Sequence, residues 1–333
     1  MAPDLLGLLP DELASVLGGS GKARSLLAVL RDGQAPEAAG LSEKAIARLF
    51  HRARYRTPEV RAQAVAADET RKILLGLVDG RAIETVLIPG EGRTTLCVSS
   101  QVGCARGCTF CLTATMGLVR NLTAAEIVGQ VHAAIALWPQ ARPRNLVFMG
   151  MGEPLDNLTE VERAIRLLTD HRAYAIGPRH ITVSTVGPSP KMIRAARDLP
   201  GRLAWSLHAA DDTLRQQLVP TTKHPVQELS AAFHEVAAHR GQPLFVELTL
   251  IDGLNDRPED AAAVLALFAG FPSEVRFNLL PMNPIGDPQL RPSPKDRVHA
   301  FQAALIGAGH FTTIRLERGA DARSACGQLA VLS

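Results

Sequence analysis

The chain has 333 residues, enough for one large domain plus a small one with a sizeable buried core. Hydrophobic residues make up 46% and charged residues 21%, while aromatics are only 4%, so the core must be built from Ala, Leu, Val and Ile. A formal net charge of +3 is compatible with a nucleic-acid partner without demanding one, and excludes a strongly polyanionic or polycationic chain.

No run of about 18 apolar residues occurs, which predicts no transmembrane helix. The start, Met-Ala-Pro-Asp-Leu-Leu, lacks the basic region of a signal peptide. The five cysteines are an odd number and closely spaced, a pattern of metal ligation in a reducing compartment rather than of secreted disulfides. The cytoplasm is therefore the expected location.

Residues 1–65 read as a small helical domain. Pro10-Asp11-Glu12-Leu13 and Ser42-Glu43-Lys44-Ala45 are helix starts with acidic first turns. The stretch Arg48-Leu49-Phe50-His51-Arg52-Ala53-Arg54-Tyr55-Arg56 is either a solvated helix face or a nucleic-acid contact surface. Residues 66–92 hold a β-hairpin extension: two β-prone runs, Arg71 to Val78 and Ala82 to Ile88, flank the turn Asp79-Gly80. Glu84 sits inside the second run.

From residue 93 to 333, apolar runs alternate with helical patterns. Strands are expected at Thr94 to Ser99, Asn145 to Met149, His180 to Ser184, Leu203 to Leu207, Leu244 to Leu250 and Val275 to Leu280. Helices are expected between them at Ala124 to Leu137, Glu160 to Thr169, Lys191 to Asp198, Gln227 to His239 and Ala261 to Phe268. A seventh helix–strand pair spans Lys295 to Ile306 and Thr312 to Leu316. Such alternation is an α/β pattern of βα units on a parallel sheet, open or barrel-like, with chemistry at the carboxyl ends of the strands. Polar motifs fall at those ends: Gly150-Met151-Gly152-Glu153-Pro154, Ser184-Thr185-Val186-Gly187, Ser206-Leu207-His208 and Pro281-Met282-Asn283-Pro284.

Cys104, Cys108 and Cys111 are spaced C-x3-C-x2-C in the loop after the first of these strands, with Phe110 before the third. Zinc needs four tetrahedral ligands, and the loop holds no histidine to complete the set; Cys97, in the strand, is the remaining nearby thiol. A [4Fe–4S] cluster held by three thiolates keeps one iron open to chelate a ligand. Both readings stand on spacing alone.

The loop, its aromatic residue and its place after a strand resemble the radical S-adenosylmethionine (SAM) superfamily. Cys97-Val98-Ser99-Ser100-Gln101-Val102-Gly103-Cys104, Met149-Gly150-Met151-Gly152-Glu153-Pro154, Ser206-Leu207-His208 and Ala325-Cys326-Gly327-Gln328-Leu329 resemble the RlmN/Cfr family, whose members methylate adenine ring carbons in RNA. The resemblance covers roughly residue 68 onward. It implies a partial (β/α)6 TIM-type barrel, a [4Fe–4S] cluster on Cys104, Cys108 and Cys111, and SAM held by Gly152, Glu153, Ser184, Ser206, Leu207, His208 and Asn283. Two SAM molecules per turnover are implied. One methylates Cys326; the other supplies a 5′-deoxyadenosyl radical that activates that methyl group toward the base. Cys97 then resolves the covalent intermediate through a transient disulfide with Cys326, and Glu84 matches a proposed proton acceptor. Phe110 is expected to pack beside SAM or the cluster.

The implied substrate is RNA: carbon 2 of the peptidyl-transferase-centre adenine of 23S rRNA, with carbon 8, tRNA or a non-ribosomal substrate as alternatives. A radical SAM paralogue without methylation and a zinc-bound RNA-binding protein without catalysis are the rivals of other classes. A monomer and a one-electron reductant of the flavodoxin or ferredoxin kind are expected. RNA contacts are sought at Arg106, Arg120, Lys223 and the arginine-rich N-terminal helix. The chain departs from the family at Arg323, where an Asp is usual.

Overall fold

The fold is described from a computed structural model for residues 2–315, 318, 319 and 324–331. Three helices open the chain: α1 (Pro10–Leu17), α2 (Ser20–Arg31) and α3 (Glu43–Arg52). Ser42 caps α3 by accepting the Ala45 N–H at 3.4 Å, and Glu12 returns to accept the Leu9 N–H at 2.8 Å. Leu13, Leu17, Leu26, Leu30 and Leu49 are buried between the three helices. Tyr55 then fastens this layer to the main body, its hydroxyl lying 2.9 Å from a ring nitrogen of His132. One aromatic of the arginine-rich stretch is therefore structural, while Phe50 stays exposed.

Three antiparallel strands follow, β1 (Glu59–Val65), β2 (Arg71–Gly76) and β3 (Ala82–Gly90). The expected hairpin is present, with Gly80 at φ +82° in its turn, a conformation that favours glycine. The extension is longer than the sequence suggests, because β1 lies in the part read as helical and pairs with β2. Nearly every β1 residue is exposed, so no burial pattern marks it, and edge pairing alone makes it a strand.

β3 pairs antiparallel with β4 (Arg93–Cys97), setting Val86 opposite Cys97, and so joins the extension to the main sheet. β5 (Gln101–Gly103), α4 (Leu112–Thr115) and β6 (Leu118–Asn121) then frame the cysteine loop, with β5 and β6 forming a separate ribbon. After α5 (Ala124–Leu137) the βα units run in order: β7 (Asn145–Phe148), α6 (Leu158–Thr169), β8 (Ile181–Thr185), α7 (Pro190–Ala195), β9 (Arg202–Ser206), then α8 (Asp212–Leu218) and α9 (Val226–Arg240). They finish with β10 (Leu244–Leu250), α10 (Pro258–Leu267), β11 (Val275–Pro281), α11 (Lys295–Gly307) and β12 (Phe311–Ile314). The final strand was expected to reach Leu316, which lies outside the described residues.

The sheet order is β1-β2-β3-β4-β7-β8-β9-β10-β11-β12, parallel from β4 through β12. Among the described residues it has two free ends and no closing pair, so the α/β fold is a partial barrel as expected. The few aromatics concentrate where β9 meets its helices: Trp205 stacks on Phe233 at 4.6 Å and meets Phe268 edge-on at 5.9 Å. This packing fixes the strand whose end carries Ser206-Leu207-His208.

Candidate active site at the strand ends

The cysteine loop is shaped by close backbone contacts. Gly103 ends β5 at φ +74°, and a Cβ there would lie 1.8 Å from the Gly117 carbonyl oxygen, which itself accepts the Cys104 N–H at 2.9 Å. Only glycine fits. Further on, the Cys111 N–H returns to the Cys108 carbonyl at 3.1 Å, and the Arg106 N–H points at the Cys104 sulfur, 3.5 Å away.

Cys108 and Cys111 line a cavity of about 160 Å³ at the strand ends, together with Phe110, Glu153, Ser184 and His208. Gly150 and Gly152 bring β7's end against β4's end without a gap: a Cβ on Gly152 would sit 2.7 Å from both the Gln101 Cβ and the Ser100 Oγ. Glu153 is buried, accepting the Leu155 N–H at 2.9 Å and the Val186 N–H at 3.0 Å. Burial outweighs these bonds and pushes its carboxyl up to about 7. Ser184 and Ser206 face each other across neighbouring strands, their hydroxyls 2.8 Å apart.

His208 sits at φ +62°, in the left-handed region, buried, with Asn255 donating to its carbonyl at 2.7 Å. Its Nδ1 accepts the Thr249 N–H at 3.1 Å, so the ring is neutral with its proton on Nε2; burial pulls its pKa down to about 3. Phe110 meets this ring edge-on at 4.6 Å, a structural reason for the aromatic before the third loop cysteine. Leu207 differs from its neighbours: it is fully buried in the core and does not line the cavity.

The three loop thiols suit a cluster. Burial raises Cys104 to about 12 and pushes Cys108 and Cys111 up as well, and for Cys108 the neighbouring Cys111 and Cys104 add to the effect. Thiolates so placed need a cationic core to hold them. Among the described residues no group of three or more His, Cys, Asp or Glu side chains is already set to hold a metal ion. Arg215 adds a nearby positive charge that the sequence did not single out. It is buried, with its Nε and one Nη unpartnered, and its charge opposes the rise of the Cys108 thiol.

The remaining two thiols meet at a junction. Cys326 lines both the small cavity and a larger cleft of about 930 Å³ that also exposes Cys97. Although Cys326 as a residue is exposed, protein surrounds its thiol and burial raises it. Cys97 is buried; desolvation raises its thiol first, and the proximity of Cys326 raises it further. The segment carrying Cys326 is tied down by bonds from the Leu112 N–H to the Gly327 carbonyl (2.7 Å), from Thr113 Oγ1 to the Leu329 carbonyl (2.5 Å) and from Asn283 Nδ2 to the Cys326 carbonyl (2.9 Å). Asp321, Ala322 and Arg323 lie outside the described residues.

Glu84 lies behind this segment. Its carboxylate pairs with Lys72 at 3.0 Å, accepts the Ala330 N–H at 3.0 Å, and lines neither the small cavity nor the cleft. Of the arginines sought as RNA contacts, Arg106 is paired with Asp156 at 2.7 Å, and Arg120 is bound to both Asp79 and Glu126. Lys223 is exposed. Two inward residues of β10, Glu247 and Thr249, also line the small cavity; a Glu and a Thr within an apolar strand were the available hint.

A three-thiol loop at the mouth of a partial βα barrel defines a radical SAM enzyme, and residues 98–265 match the radical SAM superfamily. The chain is 47% identical over 266 residues to a dual-specificity RNA methyltransferase RlmN of Syntrophobacter fumaroxidans, covering 79% of this chain and 77% of that one. It is 41% identical to the RlmN of Halorhodospira halophila over 98% of this chain and 93% of the relative. A radical SAM methyltransferase from Sphaerobacter thermophilus superposes with a TM-score of 0.91 at 36% identity, covering 98% of this chain and 99% of that chain. The chain belongs to the RlmN/Cfr family of radical SAM RNA methyltransferases. A SAM-dependent enzyme with a [4Fe–4S] cluster and an RNA substrate follows from that membership. Among the described residues no helix is long and apolar enough to cross a membrane.

Proposed function

We propose that the enzyme methylates carbon 2 of the peptidyl-transferase-centre adenine of 23S rRNA, using Cys326 as a methyl carrier and Cys97 as the resolving thiol. The observation that carries this reading is the placement of Cys326 where the thiol-lined cavity opens into the cleft that also holds Cys97. Cys104, Cys108 and Cys111 hold the cluster. Glu153, Ser184, Ser206, His208 and Asn283, with the Gly152 and Leu207 backbones, hold SAM; the neutral His208 offers one donor and Glu153 an acceptor for its ammonium group. When bound, these groups supply a methyl cation from one SAM and a 5′-deoxyadenosyl radical, after one-electron reduction, from a second.

Cys326 takes the methyl group as a thiolate and later gives up one hydrogen from it. The resulting methylene carbon bonds the adenine carbon, which has no lone pair for a direct polar displacement. Glu84 accepts the proton from that carbon once the segment around Ala330 yields its carboxylate, and the adduct gives its unpaired electron back to the one-electron carrier, leaving a closed-shell thioether. Cys97, as a thiolate, attacks the Cys326 sulfur; the sulfur–methylene bond breaks, the base-bound carbon takes a proton to become the methyl group, and a disulfide is left for an external dithiol to reduce. A low-potential flavodoxin or ferredoxin supplies the electrons, and the chain acts in the cytoplasm as a monomer. The relatives' description as dual-specificity supports a second RNA substrate, for which tRNA is the candidate.

Mapping methylated adenosines in RNA from cells with and without the gene tests the target. The expected result is one 2-methyladenosine in 23S rRNA that disappears with the gene. An 8-methyladenosine in its place, or no change in either RNA, overturns the assignment. One S-adenosylhomocysteine and one 5′-deoxyadenosine per methyl group transferred is the stoichiometry that two SAM molecules require.

A further inference from the structure

Four neighbouring parallel strands begin on arginine. Arg93 opens β4, Arg144 immediately precedes β7, Arg179 stands two residues before β8, and Arg202 opens β9. All four line the large cleft, at the end opposite the cysteine loop. The cleft then follows alternate residues along the strands, Thr95 and Cys97 on β4, Asn145 and Val147 on β7 and Met149 just past its end, until it reaches Cys326. Alternation of this kind is the inward face of a strand, so the cleft runs the length of the barrel lumen.

The charge lining it is nearly all of one sign. Several arginines elsewhere are ion-paired: Arg163 with Glu12, Arg166 with Glu162, Arg194 with Glu235, Arg257 with Asp260 and Arg276 with Glu274. Among the described residues, Arg93, Arg144, Arg179 and Arg202 have no carboxylate within ion-pair distance, and the sole acidic residue lining the cleft is Glu247, deep inside. The charges converge: His180, between them, is held below its ordinary value first by burial and then by Arg179, Arg144 and Arg202. Arg202 is also braced over the Phe245 ring at 5.5 Å. Arg144, Arg179 and His180 continue into an adjoining surface groove, which extends the basic track beyond the lumen. The strand-start end of a βα barrel ordinarily serves stability, so unpaired charge gathered there needs a partner.

We propose that RNA enters the lumen from the strand-start end, its phosphates held by Arg144, Arg179 and Arg202 while one extruded adenine reaches up to Cys326. The inference rests on the RNA-adenine reading above. A volume of about 930 Å³ falls in the range of ligand pockets and takes one nucleotide with room to spare. Polyanion binding also fits a lining that, among the described residues, holds these arginines against one deep carboxylate, Glu247.

The test is equilibrium binding of a single-stranded RNA transcript bearing the 23S target loop to the cluster-loaded protein, as a function of salt. The triple variant R144Q/R179Q/R202Q is compared with R194Q/R197Q/R257Q, which removes the same charge from acid-paired positions. The first should weaken binding by at least tenfold and reduce the salt slope by roughly 2, at about 0.7 for each phosphate left without its arginine; the second should leave both near wild type. Methylation of Cys326 by SAM, read by mass spectrometry without RNA, should be unchanged in both and reports that the fold is intact. Equal binding by the two triple variants overturns the proposal. So does unchanged RNA binding combined with weakened reduction by an acidic electron-transfer protein, because the arginines then serve that partner. RNA binding that depends on the three arginines without any adenine methylation upholds the entry route and sinks the proposed reaction instead.

Discussion

The Asn283 side-chain amide donates to the Cys326 carbonyl oxygen at 2.9 Å, tying the end of β11 to the segment that carries the proposed methyl acceptor. A bond of this type contributes about 1 kcal/mol, roughly a fivefold bias toward the pinned position. Asn283→Ala should therefore slow S-methylation of Cys326 by several fold while iron and sulfide content stay at wild-type levels. Mass spectrometry of Cys326 over time, beside iron analysis, checks both halves; equal loss of iron would assign Asn283 to assembly of the site instead.

Glu84→Gln preserves side-chain size and an acceptor for the Ala330 N–H but removes the negative charge facing Lys72. If Glu84 takes the proton from the adduct, release of product should slow by about 10²–10⁴-fold, the usual contribution of a general base. Cys326 methylation should be normal, and a protein–RNA adduct should accumulate on denaturing gels. Product release at the wild-type rate would remove Glu84 from the chemistry.

Glu153 gives the SAM-free protein a pH dependence of definite sign. Burial raises its carboxyl from 4.5 to about 7 in the folded chain, so the folded state holds its proton where the unfolded state has lost it. Its contribution to stability is complete below about 4.5 and is lost as pH rises to about 7, a change on the order of 3 kcal/mol. Thermal unfolding between those limits should show that decline, and Glu153→Gln should flatten it.

Gly103→Ala and Gly107→Ala separate strain from collision in the cysteine loop. Both glycines have positive φ, at +74° and +68°, so each substitution costs on the order of 1–2 kcal/mol in backbone strain. A Cβ on Gly107 meets nothing nearer than the Thr221 Cγ2 at 3.7 Å, whereas one on Gly103 would overlap the Gly117 carbonyl. Anaerobic reconstitution should load iron and sulfide into Gly107→Ala and fail for Gly103→Ala.

Arg215 predicts a redox effect. Burial lowers its guanidinium only to about 10, so it is cationic at neutral pH, and a positive charge beside Cys108 favours the more negative, reduced state of a cluster there. Arg215→Met should lower the cluster's reduction potential, measured by spectroscopic titration, without changing iron content. An unchanged potential would leave Arg215 as a brace for the Val186 carbonyl alone.

The parts of this molecule that could be read from its sequence are those whose physics is local. Alternating apolar runs gave the order of β4 and β7 through β12, and the C-x3-C-x2-C spacing marked the cysteine loop, because both are written in neighbouring residues. β1 escaped notice because an exposed edge strand has no buried face to imprint a period of two. The basic cleft was invisible for a different reason: Arg93, Arg144, Arg179 and Arg202 are scattered along the chain and become neighbours only through the pairing of β4, β7, β8 and β9. Arg106 and Arg120 stood near the cysteine loop and drew attention, but Asp156, Asp79 and Glu126 reach them only in the folded chain. Leu207 lay inside a polar motif, yet the strand turns its side chain into the core.

The hydrogen bonds from Leu112 and Thr113 to the segment around Cys326 join the two ends of the chemistry. Both donors directly follow Cys111, so whatever disturbs the loop at its third cysteine also loosens the segment that carries Cys326. An enzyme molecule that has lost its cluster would therefore not be left with Cys326 poised for alkylation. Under the proposed mechanism the cluster loop and the methyl carrier would be released as one unit.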